Sequence, residues 1–131
     1  MIAVDASALV AILLMEPDAD RYRECLIEHP GARLSPVGYW EAATRLRIAR
    51  GEGGVAELDV VIALLRVEIA PVTNRTATLA ADAEREFGKR TPAKLNMGDC
   101  FAYALAKTYS ACLLFIGNDF AQTDIPDATL P

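Results

Sequence analysis

From residue 1 to residue 15 the chain is apolar except for one carboxylate, Asp5, and a hydroxyl two places later, Ser7. Residues 2–4, IAV, read as a short strand entering the core. Ser7 is placed to cap a first helix that runs through Leu14, and Glu16, Pro17 and Asp18 break the pattern. A second helix over residues 19–27 sets Tyr22, Leu26 and Ile27 on one face and alternates charges on the other. Residues 31–36 hold a brief strand, ARLS, stopped at Pro36. Helical patterns cover residues 37–50 and 55–66, with GEGG at 51–54 as the stop and turn between them. VEIAPV predicts a third strand, and Asn74 is placed to cap a helix over 75–87. GKRTPAKLN at 88–96 is a loop, a helix follows over 97–109, and CLLFI at 112–116 is a buried strand. Helical stretches alternating with short apolar strands predict an α/β fold whose parallel sheet is covered by helices.

Composition narrows the class. A chain of 131 residues fits one domain, 1–131, long enough to bury a single core, and 53% hydrophobic with 24% charged residues is ordinary for a soluble globular protein. No repeat, low-complexity tract or Pro/Gly/Ser linker marks a boundary. The opening apolar run falls short of the roughly 20 residues of a membrane span and lacks the basic start and cleavage site of a signal peptide. A cytoplasmic protein with no membrane attachment is expected. Cys25, Cys100 and Cys112 are odd in number and lack CxxC spacing, so reduced, partly buried thiols are expected. The one histidine, His29, lies in a polar EHPG turn and is expected at the surface, which argues against Ser-His or Cys-His catalysis. The net charge of -5 argues, as a total, against non-specific nucleic-acid binding.

The candidate chemistry is acidic. An isolated buried carboxylate is costly, so Asp5 must be paired, neutralised or bound to a metal. Asp5 and Asp119 each follow a strand, and the carboxyl ends of parallel strands are where open α/β sheets build a ligand crevice. Glu41 and Asp99 each lie early in a helix, where amides and dipole favour an ionised carboxylate. Convergence of all four would raise their pKa values through mutual repulsion, and a hard divalent cation with oxygen ligands removes that conflict. Each acid also has a plainer role. Asp5 and Asp99 could serve their helix N-termini, Glu41 could pair with Arg45 four residues on, and Asp119 could belong to a turn. Ser7 is spaced to support Asp5 or a metal-bound water, Asn96 to cap its helix or orient a carboxylate, and Asn118 to offer an amide oxygen.

The order VDASALVAIL, YWEAATRL, LNMGDCFAYALAK, LLFIGNDFAQTDI resembles the PIN-domain ribonucleases, and most of all the VapC toxins of bacterial toxin–antitoxin modules. The resemblance spans nearly the whole chain. It implies a three-layer α/β/α sandwich with a short parallel sheet and an acidic site for Mg²⁺ or Mn²⁺. It implies cleavage of single-stranded RNA, often tRNA or rRNA, a homodimer, and a cognate antitoxin whose tail enters the site. By motif, Asp5, Glu41 and Asp99 match the family's three most constant acids. Many relatives place the fourth three residues before the phenylalanine of the last segment. Here that position is Gly117, leaving Asp119 as the acid with Asn118 as substitute or helper.

The reaction implied is metal-assisted phosphodiester hydrolysis, with Asp5, Asp99 and Asp119 as metal ligands and Glu41 beside them. Arg45, Arg47 and Arg50 follow Glu41 in sequence, while Arg85, Lys89, Arg90 and Lys94 frame the loop before Asp99. Such local patches can contact phosphates whatever the total charge. Arg45, Lys89, Arg90 and Lys94 are the expected substrate contacts, and Arg85 is expected on a solvated face. Tyr39, Trp40 and Tyr103 are expected in core or interface rather than as stacking platforms. Two other readings compete: a phosphatase of the haloacid-dehalogenase type, which needs an aspartate where Ser7 stands, and a PIN-like interaction module without activity.

Overall fold

A computed structural model describes residues 1–130. Four short strands, β1 (Ile2–Val4), β2 (Arg33–Leu34), β3 (Glu68–Ile69) and β4 (Cys112–Leu114), form one sheet in the order β3-β2-β1-β4. All three pairings are parallel, with Val4 opposite Leu34 on one side and Leu114 on the other. Each crossover carries two helices: α1 (Ala6–Leu13) and α2 (Ala19–Glu28), then α3 (Pro36–Arg50) and α4 (Glu52–Leu64), then α5 (Asn74–Phe87) and α6 (Met97–Thr108).

The pleat sorts side chains between two cores. Ile2, Val4, Leu34 and Leu114 point to the face covered by α1 to α4, where Leu9, Leu26, Leu46 and Leu58 are fully buried. Ala3, Leu113 and Phe115 point to the opposite face, covered by α5 and α6, with Leu95, Leu105 and Phe120. Helices, sheet and helices make the α/β/α sandwich expected from the sequence.

Local chemistry moved several expected boundaries. Asp5, not Ser7, is the N-cap of α1, and its Oδ2 accepts the Ser7 amide N–H at 3.1 Å. Thr73 caps α5 through a reciprocal pairing with Thr76, so the helix begins at Asn74 instead of being capped by it. Ser35 caps α3 with Pro36 in its first turn, so the proline opens that helix as well as ending the strand. Only Gly51, at φ +69°, separates α3 from α4, and Gly53 and Gly54 lie inside α4. A Cβ on Gly54 would stand 2.6 Å from the Leu46 carbonyl oxygen, so this glycine sets how closely the two helices pack. Ile27 is exposed, and α2 buries Ala19, Cys25 and Leu26 instead. His29 is half-buried, its Nδ1 2.8 Å from the Cys25 carbonyl oxygen, where the sequence suggested plain surface. The three cysteines are free thiols, as expected. No described helix is long and apolar enough to cross a membrane.

Leu9 sits in α1 with no exposed surface, packed over the strand that leads into Asp5. Leu9→Ala is expected to cost about 2–5 kcal/mol of stability, read as a lower urea midpoint with an unchanged slope.

Candidate functional site

The strand order changes direction between β1 and β4. Chain order runs outward from β1 through β2 to β3, then returns to β1's other edge, and ligands of open α/β sheets bind at such a switch point beyond the carboxyl ends of the strands. Asp5 is the first residue past β1, and its amide N–H donates to the Leu114 carbonyl of β4 at 2.9 Å. Ser7 ties the two strand ends together, its Oγ accepting the Ile116 N–H at 3.1 Å. The same hydroxyl also hydrogen-bonds the Asp5 carboxylate. Cap and carboxylate support are therefore one arrangement at Asp5, with Ser7 as the supporting hydroxyl.

Asp99 arrives from the other layer, on the first turn of α6. Asn96 caps that helix reciprocally: its Oδ1 accepts the Asp99 N–H at 2.8 Å, and Asp99 Oδ2 accepts the Asn96 N–H at 3.1 Å. One carboxylate oxygen is thus held, leaving Oδ1 outside the capping pair. Glu41 lies on α3, and its carboxylate reaches the first turn of α6 directly against Gly98. A Cβ on Gly98 would overlap both carboxylate oxygens and the carboxyl carbon of Glu41. Asp119 begins a short 3-10 turn, Asp119–Gln122, preceded by Asn118, whose side chain makes no capping bond. Gly117, where many relatives carry an acid, has φ +93°, a conformation that disfavours any L side chain. Backbone geometry therefore favours glycine there, and Asp119 supplies the acid of this loop.

The four carboxylates feel one another. Burial raises the pKa of Asp5, against the Ser7 hydrogen bonds that lower it, and the charge of Asp119 raises it further. Burial first, then Asp5 and Asp99, push Glu41 from an ordinary 4.5 to about 7, while Arg45 pulls the other way. Asp99 is pushed up to about 6 by burial, with Asp5 and Asp119 adding to the rise, against the Asn96 backbone bond and Lys89. Asp5 is 6% exposed and Asp99 8%, and among the described residues none of the four acids has a basic partner within salt-bridge distance. The Glu41–Arg45 ion pair suggested by their spacing is not formed, although Arg45 is near enough to influence Glu41. Among the described residues, no three acids, histidines or cysteines are gathered as a ready-made metal cage. Mg²⁺ is usually held through one or two carboxylates with water and substrate oxygens completing the shell, and the donor set here fits that habit.

The basic residues separate into two groups. Arg47 is paired with Glu52 at 2.6 Å and Arg50 with Glu57 at 2.9 Å, so both brace α3 against α4. Arg85 is paired with Asp82 on a solvated face. Arg45, Lys89, Arg90 and Lys94 are exposed and make no ion pair among the described residues. Tyr103 is core, its hydroxyl donating to Asp124 at 2.6 Å, and Tyr39 is half-buried, donating to Asp59 at 2.6 Å. Trp40, beside Glu41, is 61% exposed and is not a core residue. Gly98 belongs to the NMGDC opening of α6, and residue order assigns it no role of its own; its signal is a helix-disfavouring residue inside the first turn of a well-capped helix.

A family model described as the PIN domain matches residues 2–126. The chain belongs to the PIN domain family. Ribonuclease VapC30 of Mycobacterium tuberculosis is 44% identical over 130 residues, covering 98% of both chains. Ribonuclease VapC of Mycolicibacterium smegmatis is 42% identical, covering 93% of this chain and 95% of the relative. The crystal structure of Mycobacterium tuberculosis VapC20, a toxin described as cleaving the sarcin–ricin loop, superposes with a TM-score of 0.78 at 15% identity, covering 95% of this chain and 96% of that one. This likeness supports the PIN fold, and family membership sets aside the haloacid-dehalogenase reading.

The raised acids give this PIN domain a pH signature. Between about pH 4.5 and 7 the folded protein keeps protons on Glu41 and Asp99 that the unfolded chain has already released, so stability falls as pH rises through that window. Metal-free protein should therefore melt at a lower temperature at pH 8 than at pH 5, and Asp5→Asn should narrow the difference. A melting temperature that climbs steadily from pH 5 to pH 8 would contradict this.

Proposed function

We propose that the chain is a metal-dependent endoribonuclease that hydrolyses phosphodiester bonds in single-stranded RNA, acting as the toxin of a toxin–antitoxin pair. The observation that carries this reading is the convergence of Asp5, Glu41, Asp99 and Asp119, without a basic partner, at the switch point of the sheet. Full-length similarity to VapC ribonucleases at 44% identity supports the same reading. Asp5, Asp99 and Asp119 are assigned as ligands of Mg²⁺ or Mn²⁺. A divalent cation bound there supplies charge neutralisation and Lewis acidity toward water and the phosphoryl oxygens.

The chain's own residues do the rest. Ser7 and the α1 amide fix the Asp5 carboxylate, and the Asn96 pairing fixes Asp99. Glu41, with its pKa raised to about 7, can exchange a proton near neutral pH, as a group that orients and deprotonates an attacking water must. Lys89, Arg90 and Lys94 on the loop before Asp99, and Arg45 behind Glu41, are assigned to backbone phosphates. Unpaired cations, of which Arg45 acts on Glu41 and Lys89 on Asp99, resolve the conflict between a net charge of -5 and an RNA substrate. Unpaired loops of tRNA or rRNA suit such a site, because the target strand must leave a helix to reach it. A cognate antitoxin and a second copy of the chain are the proposed protein partners. Exposed Trp40, beside Glu41 on α3, and exposed Met97, the first residue of α6, offer apolar contacts next to the acids.

The test is incubation with a mixed RNA pool in Mg²⁺ or EDTA. Cleavage is expected with the metal, absent in EDTA, and reduced at least about 100-fold by Asp5→Asn or Asp99→Asn. Cleavage indifferent to EDTA and to both substitutions would overturn the assignment. Replacing Lys89, Arg90 and Lys94 together by Ala should weaken RNA binding and flatten its dependence on salt, measured by fluorescence anisotropy.

A further inference from the structure

Two glycines occupy the same position in two helices of this protein. Gly53 is the second residue of α4 and Gly98 the second residue of α6. Glycine is a poor choice at either, costing backbone entropy that alanine does not. Their surroundings differ sharply. Nothing lies within 4 Å of where a Cβ on Gly53 would stand. At Gly98 the same position is filled by the Glu41 carboxylate, both oxygens and the carbon.

We propose that Gly98 is a positioning residue for Glu41: its missing side chain is the seat that brings the Glu41 carboxylate against the first turn of α6 and into the field of Asp5 and Asp99. The proposal rests on the nuclease reading above. The atoms that would collide with a Cβ are the far end of a flexible side chain, with no backbone among those nearest it. The fold can therefore absorb a methyl group by swinging Glu41 away, and what is lost is placement. Misplacing a reacting group by about 1 Å can cost on the order of 100-fold in rate, so the penalty falls on catalysis and leaves stability intact. A glycine needed only for the backbone would behave oppositely. The φ angle at Gly98 is not in the left-handed region, so the backbone makes no such demand.

The experiment compares Gly98→Ala with Gly53→Ala, each measured for RNA cleavage and thermal melting, alongside Glu41→Asp and the double variant Gly98→Ala/Glu41→Asp. Gly53→Ala is the matched control and should melt slightly higher with full activity. Gly98→Ala should melt at or up to about 3 °C above the parent yet cleave RNA at least about 10-fold more slowly, mainly through kcat. Shortening the carboxylate by one methylene relieves the collision, so Glu41→Asp should cost clearly less in the Gly98→Ala background than in the parent. A Gly98→Ala variant with parental activity overturns the proposal. So does one that loses melting temperature and activity together, and so do strictly additive penalties in the double variant. If the parent itself fails to cleave RNA, the nuclease reading fails. The seat is then still tested by a crystal structure of Gly98→Ala, in which the Glu41 carboxylate should have left its place against the first turn of α6; a carboxylate that stays there overturns the proposal.

Discussion

Burial of carboxylates, sharpened by their mutual repulsion, is the constraint around which this site is arranged. Asp5 and Asp99 are almost fully buried, and Glu41 and Asp119 stand close enough to act on them. Taking a carboxylate out of water is unfavourable unless something compensates it. Here the compensation from the chain is partial: backbone amides at two helix N-termini, one serine hydroxyl, and two cations held at a distance. No lysine or arginine is paired with any of them among the described residues. In the metal-free protein, protons retained on Glu41 and Asp99 make up part of the difference, and in the proposed reading a cation replaces them.

The topology explains how residues so far apart in sequence share this space. β1 and β4 are adjacent and parallel, so the loops after Val4 and Leu114 emerge at one edge. α6 covers one face of the sheet and α3 the other, and both begin at that edge, bringing Asp99 and Glu41 in from opposite layers. Ser7 holds the two strand ends together through Ile116, so the residue that supports Asp5 also fixes the loop leading to Asp119. Packing that holds strand ends in register therefore also holds the acids, which ties the stability of the core to the geometry of the site.

Much of this could be read from residue order. Alternation of helices and short strands identified the parallel sheet, most clearly at the central strand β1, which is apolar and buried on both faces, whereas the edge strand β3 holds only the exposed Glu68 and Ile69. Asp5 stood out as a charge in an apolar run, and Asp99 as an acid behind an asparagine cap. Less legible was anything that depends on a partner from another element. Arg47 and Arg50 look like phosphate ligands in sequence, yet α4 places Glu52 and Glu57 against them. Thr73 and Thr76 cap α5 reciprocally, which outcompetes Asn74. Gly98 gave no sign of its neighbour, since Glu41 lies 57 positions away and on another helix.

The central claim, that the acids converge to take up a cation, is tested most directly by calorimetric titration of Mg²⁺ and Mn²⁺ into the metal-free protein near pH 7. Repeating it in buffers of different ionisation enthalpy counts the protons released. The account predicts saturable binding accompanied by proton release, because Glu41 and Asp99 are partly protonated before the cation arrives. It also predicts that Asp5→Asn abolishes the binding. Absence of saturable uptake, or uptake unchanged by Asp5→Asn and without proton release, would contradict it.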